Sequence, residues 1–295
     1  MADGTGRQPR TVLEILRAAT DYLGGRGVDT PRLDAELLAA EVLGLSRLDL
    51  YVQFDRPMEP TERGRLRELI RRRGAREPVA LILGIKEFRS REFQVQPGVL
   101  IPRPDTELLA ERAIAVVADR GSSAPLVVDL GTGTGILAIT VALETDAKVL
   151  AVDAAPASVA CARANLATLG PADRVGVVRG DWWDALPERF SGQVEVVVSN
   201  PPYVAAADYT ALAPEILEYE PRQALTPDGD PLAYYRRTAA GLPRWLASGG
   251  HILVEVGAGQ ADDVETILAA AAVTDIARHR DLADIERVVE GVFSP

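Results

Sequence analysis

Cysteine occurs once in the 295 residues, at Cys161, and histidine twice, at His251 and His279. A single thiol excludes an internal disulfide and any cysteine-based metal cluster. Two histidines so far apart argue against a histidine-rich metal site and against a histidine-centred triad. Cys161 falls in the helical stretch 156–169, where a buried inert thiol is the default, and His251 opens a strand and reads as structural. No apolar run is long enough to span a bilayer. Met1 to Arg10 is polar and contains glycine, so no secretory leader is expected. The expectation is a cytoplasmic protein with no metal and no membrane contact.

Positive charge is also scarce over most of the chain. Residues 1–90 carry 16 Lys and Arg against 14 Asp and Glu, a balance of +2, whereas the remaining 205 residues stand at −13, which gives the total of −11. Phosphate contacts supply most nucleic-acid affinity, so the acidic part is a poor partner for a phosphate backbone, and no stable nucleic-acid binding is expected. One basic run stands out, comprising Arg63, Arg65, Arg67, Arg71, Arg72, Arg73 and Arg76 and punctuated by Glu62, Glu68 and Glu77. Such runs are usually solvated helix faces. The sharper reading is a docking surface for a protein bound to, or resembling, RNA.

What is present begins with strand-like runs that end in loops. Pro125 to Leu130 is a buried-strand run followed at once by Gly131-Thr132-Gly133-Thr134-Gly135 and then by a helical stretch from Ile136. Strand, glycine turn and helix start make the nucleotide-site geometry of a doubly wound sheet. A dinucleotide fingerprint needs glycine at 136, where this chain has Ile136, so the pattern points to a smaller adenosine ligand. Twenty residues beyond Gly133, the run Lys148 to Val152 ends in Asp153, a carboxylate placed to accept from both ribose hydroxyls.

Two further strand ends carry polar groups. Val175 to Arg179 precedes Gly180-Asp181-Trp182-Trp183, where the acid can meet an adenine amine and one indole, Trp182, can cover the ring. The alternative is that both tryptophans cap the core. The run from Val194 to Ser199 ends in Asn200-Pro201-Pro202-Tyr203. Two prolines fix two φ angles and remove two donors. The result is a stiff loop offering the Asn200 amide oxygen, the Pro201 carbonyl and the Tyr203 ring, an arrangement suited to a planar NH2 group. Taken alone, the same residues also make an ordinary strand-terminating turn.

Along the chain, helices are expected first. Thr11-x-x-Glu14 is a capping box. Thr30-Pro31 caps a second helix with Leu33, Leu37, Leu38 and Val42 on one face. Thr61 starts a third with Leu66, Leu69 and Ile70. The expected division is a helical domain over 1–76, a connecting segment or hairpin over 77–105, and the nucleotide-type domain over 106–295. In that last part a helix runs from Thr106 to about Val117. Val204 to Asp230 is a partly helical loop over the site, 232–246 is helical, Ser248-Gly249-Gly250 is a turn, and 252–256 is a fifth buried strand. A helix follows at 260–271, and 273–277 and 286–293 can pair antiparallel at the sheet edge. The alternation gives an α/β, doubly wound, mainly parallel sheet.

Together these residues resemble the class I S-adenosylmethionine methyltransferases and, more closely, the HemK/PrmC family of protein-(glutamine-N5) methyltransferases. The resemblance runs from about Gly84 to Phe293. It rests on Gly84-Ile85-Lys86-Glu87-Phe88, Leu100 to Glu107, Asp129 to Gly135, Asp181-Trp182 and Asn200 to Tyr203, with Glu220-Pro221 in support. The most family-specific of these is Ile101-Pro102-Arg103-Pro104-Asp105-Thr106-Glu107. Arg89-Ser90 departs from the aromatic and small residue that many members carry there.

The resemblance implies a seven-stranded Rossmann-like sheet with a small helical substrate-recognition domain and S-adenosyl-L-methionine as methyl donor. It also implies transfer to the glutamine of the Gly-Gly-Gln motif of class-1 peptide chain release factors. Asp129, Gly131, Thr132, Gly133, Thr134, Gly135, Asp153, Asp181, Trp182 and Asn200 would hold the cofactor. Asn200, Pro201, Pro202 and Tyr203 would hold and activate the substrate amide. Arg103, Thr106 and Glu107 would support a lid or orient the methionine end, or make a helix-start salt bridge. Glutamine methylation of a ribosomal protein and adenine-amine methylation of nucleic acid are the alternatives, as is a non-catalytic cofactor-binding regulator.

Overall fold

The computed structural model describes residues 10–295 and divides at Gly84 into two compact units. The polar start at Met1 to Arg10 therefore lies, Arg10 apart, outside the described residues, as does the beginning of the expected helical domain. No helix among the described residues is long and apolar enough to cross a membrane.

The first unit is helical: α1 (Val12–Gly24), α2 (Pro31–Leu43), α3 (Arg47–Val52), α4 (Pro60–Gly74) and α5 (Val79–Leu83). The Thr11 capping box forms as expected, with Glu14 reaching back to the Thr11 amide. On α2 the apolar spacing misleads. Leu33 is exposed, while Asp34 and Glu36 turn inward and are buried. Buried carboxylates require partners. Arg73 pairs with Asp34 at 2.6 Å, Arg32 and Arg47 meet Glu36 at 3.0 and 2.6 Å, and these pairings set the rotation of the helix. Thr30 donates to Asp34 rather than capping a backbone amide. Three members of the basic run are thereby accounted for within the unit: Arg71 pairs with Glu68, Arg72 with Glu77, and Arg73 with Asp34.

The second unit opens with the antiparallel hairpin β1 (Ile85–Phe88) and β2 (Arg91–Gln94), turned by Arg89 and Ser90. Both turn residues have positive φ, at 46° and 60°, as a two-residue type I′ turn requires. Neither is glycine, and the strain is offset by contacts: Arg89 and Arg91 both bind Glu144, and the Arg89 amide donates to Glu107. Phe88 and Phe93 pack edge to face in the core.

There follow α6 (Thr106–Asp119), β3 (Leu126–Leu130), α7 (Ile136–Glu144), β4 (Lys148–Asp153), α8 (Pro156–Leu169), β5 (Val175–Arg179) and β6 (Val194–Ser199). Two short helices, α9 (Ala206–Tyr209) and α10 (Pro214–Tyr219), precede α11 (Ala233–Trp245), β7 (Leu246–Glu255), α12 (Ala261–Ala270), β8 (Val273–Arg280) and β9 (Glu286–Phe293). The seven strands order as β5-β4-β3-β6-β7-β9-β8, with the β7–β9 and β8–β9 pairs antiparallel and the rest parallel. Helices cover both faces, so the central strands are buried on both sides. Accordingly Val127, Val128, Val196, Val197 and Val198 are fully buried.

The expected turn at 248–250 is instead a bulge inside β7. The register jumps from Val194↔Leu246 to Val196↔His251, and the intervening residues loop out without ending the strand. A backbone irregularity of this kind keeps the ladder while absorbing extra residues.

The Glu144 cluster gives a direct test of the fold. Hydrogen bonding from Arg89, then Arg91, holds the Glu144 carboxyl at about 2, below its ordinary 4.5. A depressed carboxylate stabilises the fold fully above its unfolded value and loses that contribution as pH falls through the folded one. Glu144→Gln is expected to lower unfolding free energy by about 1–2 kcal/mol at pH 7 in urea denaturation. The difference from wild type should shrink as pH drops from 4.5 toward 2; a pH-independent difference would contradict the assignment.

Candidate active site

The site is built by register. Leu130 lies opposite Val152 of β4 and Ser199 of β6, and Ser199 lies opposite Val254 of β7. Four parallel strands therefore end within one residue of the same level, and the residues one beyond these positions, Gly131, Asp153, Asn200 and Glu255, emerge side by side. Cross-links tie these ends together. The Gly131 and Thr132 amides both donate to the Val152 carbonyl, and Ser199 Oγ donates to the Leu130 carbonyl at 2.7 Å. Ligand sites of open α/β sheets form at this carboxyl edge.

Above the edge opens a cavity of about 410 Å³. Its walls include Gly131, Gly133, Asp153, Asp181, Trp182, Asn200 and Pro202, all singled out in the sequence. Gly131 has φ +77°, and a side chain there would lie 3.4 Å from the Trp182 ring. A bare Cα at this point keeps the floor of the cavity open. Asp153 Oδ2 accepts from the Gly133 amide at 2.9 Å and Oδ1 from the Ala155 amide at 2.9 Å. Burial nonetheless raises its pKa. The Ser158 hydroxyl also bonds this carboxylate, which leaves acceptor capacity for a ligand hydroxyl.

Trp182 sits at φ +56°, an uncommon conformation for a bulky residue. The indole is held by Nε1–H donated to Thr238 Oγ1 at 3.1 Å and by the Tyr234 ring 4.8 Å away. Trp183 turns away from the cavity and donates to the Arg237 carbonyl. Asp181 lines the cavity, but its Oδ1 is paired with Arg237 at 2.6 Å.

Other predicted residues support the floor from below. Asp129 is fully buried and lies outside the cavity wall; its Oδ2 accepts from Thr132 Oγ1 at 2.5 Å and from the Ala138 amide at 3.2 Å. Burial raises its pKa to about 7. Thr132 and Thr134 are buried with it, and Gly135, at φ +80°, caps α7 where a side chain would strike Ala162. These four shape the loop, and Gly131 and Gly133 face the space.

Beside the large cavity is a recess of about 30 Å³ lined by Leu100, Arg103, Asn200, Pro201, Tyr203, Val204, Ala224 and Leu225. Asn200 borders both spaces, as do Leu100 and Ala224. Arg103 reaches across to Glu220 at 2.7 Å, and Glu220 also accepts from the Ile101 amide, which ties the 204–230 segment to the loop before α6. Glu107 borders neither space, and its Oε1 accepts from the Arg89 amide at the hairpin turn.

The residue that sequence reasoning missed is Glu255, fully buried at the end of β7. Its Oε2 accepts from Thr106 Oγ1 at 2.7 Å and its Oε1 from the Tyr203 hydroxyl at 3.2 Å. Thr106 Oγ1 in turn accepts from Asn200 Nδ2 at 3.1 Å. Burial raises the Glu255 pKa to about 7 and pushes that of Tyr203 above its ordinary value. The signal was available: an acid inside an apolar strand run must find partners. Tyr234, Thr238 and Gln223 were missed as well, and no local pattern marks them.

Comparison with known proteins follows the same outline. The family model for the PrmC N-terminal domain matches residues 14–84, and that for the methyltransferase small domain matches residues 106–240. A release factor glutamine methyltransferase of Bordetella pertussis is 44% identical over 92% of this chain and 97% of its own length. One from Geobacter sulfurreducens is 39% identical over 95% and 96%. Among solved structures, the hMettl16 catalytic domain aligns with a TM-score of 0.55 at 13% identity, covering 69% of this chain and 76% of that one. A methyltransferase from Pyrococcus furiosus aligns at 0.51 and 13% identity, covering 71% and 92%. These two likenesses speak for the fold alone. With relatives of this identity matched along nearly their whole length, the chain belongs to the release factor glutamine methyltransferase family.

Proposed function

We propose that this protein transfers the methyl group of S-adenosylmethionine to the side-chain amide nitrogen of the glutamine in the Gly-Gly-Gln motif of class-1 release factors. The observation that carries the reading is the position of Asn200. It borders a nucleoside-sized cavity on one side and a recess sized for a single amide on the other, with its Nδ2 already committed to Thr106.

The cavity fits the methyl donor. Its volume is in the range of small-ligand sites, the open floor at Gly131 and Gly133 admits close backbone approach, Asp153 has acceptor capacity for ribose, and the Trp182 ring supplies a flat apolar wall. Bound S-adenosylmethionine supplies a methyl group already activated by the sulfonium to which it is attached. Asp153 at the cavity wall also offers its acceptor oxygens to the ligand.

What the chain must overcome is the poor nucleophilicity of a carboxamide, whose nitrogen lone pair is delocalised into the carbonyl. Asn200 Oδ1 and the Pro201 carbonyl each accept one N–H of the glutamine, and Tyr203 packs on the amide plane. Held in this way, the nitrogen lone pair localises and points at the methyl. Positioning of this kind can contribute about 7–11 kcal/mol of barrier lowering, and fixed acceptors stabilise the positive charge growing on nitrogen. With S-adenosylmethionine bound there, the amide nitrogen held by Asn200 and Pro201 would take the methyl carbon, S-adenosylhomocysteine would be the leaving product, and the proton lost from nitrogen would pass to solvent. Arg103 lines the recess and is held by Glu220.

Incubation with methyl-labelled S-adenosylmethionine and a class-1 release factor, followed by peptide mass mapping, is expected to place one methyl group on the Gly-Gly-Gln glutamine. Label elsewhere, or none, would reject the substrate. Asn200→Ala should lower kcat by at least about 100-fold, with S-adenosylhomocysteine affinity changed far less in calorimetry. Asp153→Ala should do the reverse, weakening cofactor binding about 10- to 100-fold through the lost charge-assisted hydrogen bonds.

A further inference from the structure

The recess presents an asparagine to the substrate, and an asparagine side chain has two nearly isosteric ends with opposite hydrogen-bonding roles. Only the oxygen end can accept from a substrate NH2. With the amide rotated by 180°, two NH2 groups face each other and the bound glutamine is repelled. Something must therefore set which end faces the recess, and the prolines that stiffen the backbone after Asn200 do not control its side-chain torsion.

The chain of donors behind Asn200 runs in one direction. Glu255 at the end of β7 is enclosed, and both of its oxygens serve as acceptors, one for Thr106 Oγ1 and one for the Tyr203 hydroxyl. The Thr106 hydroxyl, at the start of α6, points its proton at Glu255 Oε2, which leaves oxygen lone pairs toward Asn200. An acceptor there selects Nδ2 of Asn200, at 3.1 Å, and so turns Oδ1 outward. The other Glu255 oxygen accepts a hydrogen bond from the Tyr203 hydroxyl at 3.2 Å. One buried acid thus fixes both the polarity of the acceptor and the seat of the aromatic wall. The surrounding groups keep it in place: Tyr235 donates to the Glu255 carbonyl at 2.9 Å, and Arg287 pairs with Asp105, the residue before Thr106, at 3.2 Å.

We propose that Thr106 and Glu255 are positioning residues that set the direction of the Asn200 side-chain amide, so that its oxygen rather than its nitrogen meets the substrate. The inference rests on the proposed amide-methylation reading for its kinetic consequence, but the orientation itself exists without substrate. Neither residue touches the reacting atoms; each acts through Asn200.

The test compares Thr106→Val, which keeps shape and removes the hydroxyl, with Thr106→Ser, which keeps the hydroxyl, and with Glu255→Gln. In the Glu255→Gln variant one end of the new side chain must become a donor facing either Thr106 or Tyr203, both of which already donate. With a class-1 release factor as substrate, Thr106→Val and Glu255→Gln should lose about 100-fold in kcat. S-adenosylhomocysteine affinity should stay within about 3-fold of wild type, and Thr106→Ser should retain kcat within about 5-fold. Equal turnover of Thr106→Val and wild type would overturn the proposal. So would a Ser variant as impaired as Val, or a loss of turnover matched by an equal loss of cofactor affinity. A substrate-free measurement separates this inference from the assignment of substrate. The side-chain ¹⁵N–¹H₂ signals of Asn200, identified by their absence in Asn200→Ala, should shift in Thr106→Val and return toward the wild-type position in Thr106→Ser. If wild type fails to methylate a release factor, the substrate reading falls while these signals still decide: unmoved signals in Thr106→Val would overturn the positioning role.

Discussion

The structure depends above all on the parallel ladder that brings β3, β4, β6 and β7 to an end within one residue of the same level. Leu130, Val152, Ser199 and Val254 lie in mutual register, so four loops leave the sheet at neighbouring points. A slip of one residue in any of these strands would exchange its two faces and carry Asp153, Asn200 or Glu255 out of the group. The valine- and leucine-rich character of the strand interiors protects that register, because both faces are packed against helices. Function at the edge is thus a consequence of apolar packing in the middle.

At this edge, buried carboxylates act as organisers. Asp129 gathers Thr132 and the Ala138 amide and shapes the glycine turn from below, Asp153 ties Gly133 to Ala155, and Glu255 gathers Thr106 and Tyr203. Burial raises the pKa of all three. That cost is tolerated because each acid fixes groups that would otherwise move. Rigidity at this edge arises from buried acids held by the chain's own donors.

Much of this was legible in the sequence, and the reason is local. The strands are short β-branched runs that end in glycine, proline or acid, and the features that face the cavity, Gly131, Gly133, Asp153, Trp182 and Asn200, sit at those ends. The parts that were illegible depend on pairings across long stretches of chain. Thr106 lies 94 residues from Asn200 and 149 from Glu255. Tyr234 and Thr238 reach Trp182 only because α11 packs beside it. Helical periodicity also failed where buried ion pairs outweighed it: Leu33 faces out because Asp34 and Glu36 face in. Asp129 and Glu107 stand out by motif, yet neither borders the cavity or the recess: Asp129 Oδ2 accepts from Thr132 and the Ala138 amide, and Glu107 Oε1 from the Arg89 amide.

The central claim is that a flat NH2 group is gripped by the Asn200 and Pro201 oxygens beside a methyl donor lying over the glycine turn. A crystal structure of the protein with S-adenosylhomocysteine and a Gly-Gly-Gln peptide addresses it most directly. The account predicts the adenosine against Asp153 and Trp182, and the glutamine nitrogen within about 3 Å of both oxygens, facing the sulfur. A glutamine lodged outside the recess, or an Asn200 nitrogen turned toward it, would contradict the account.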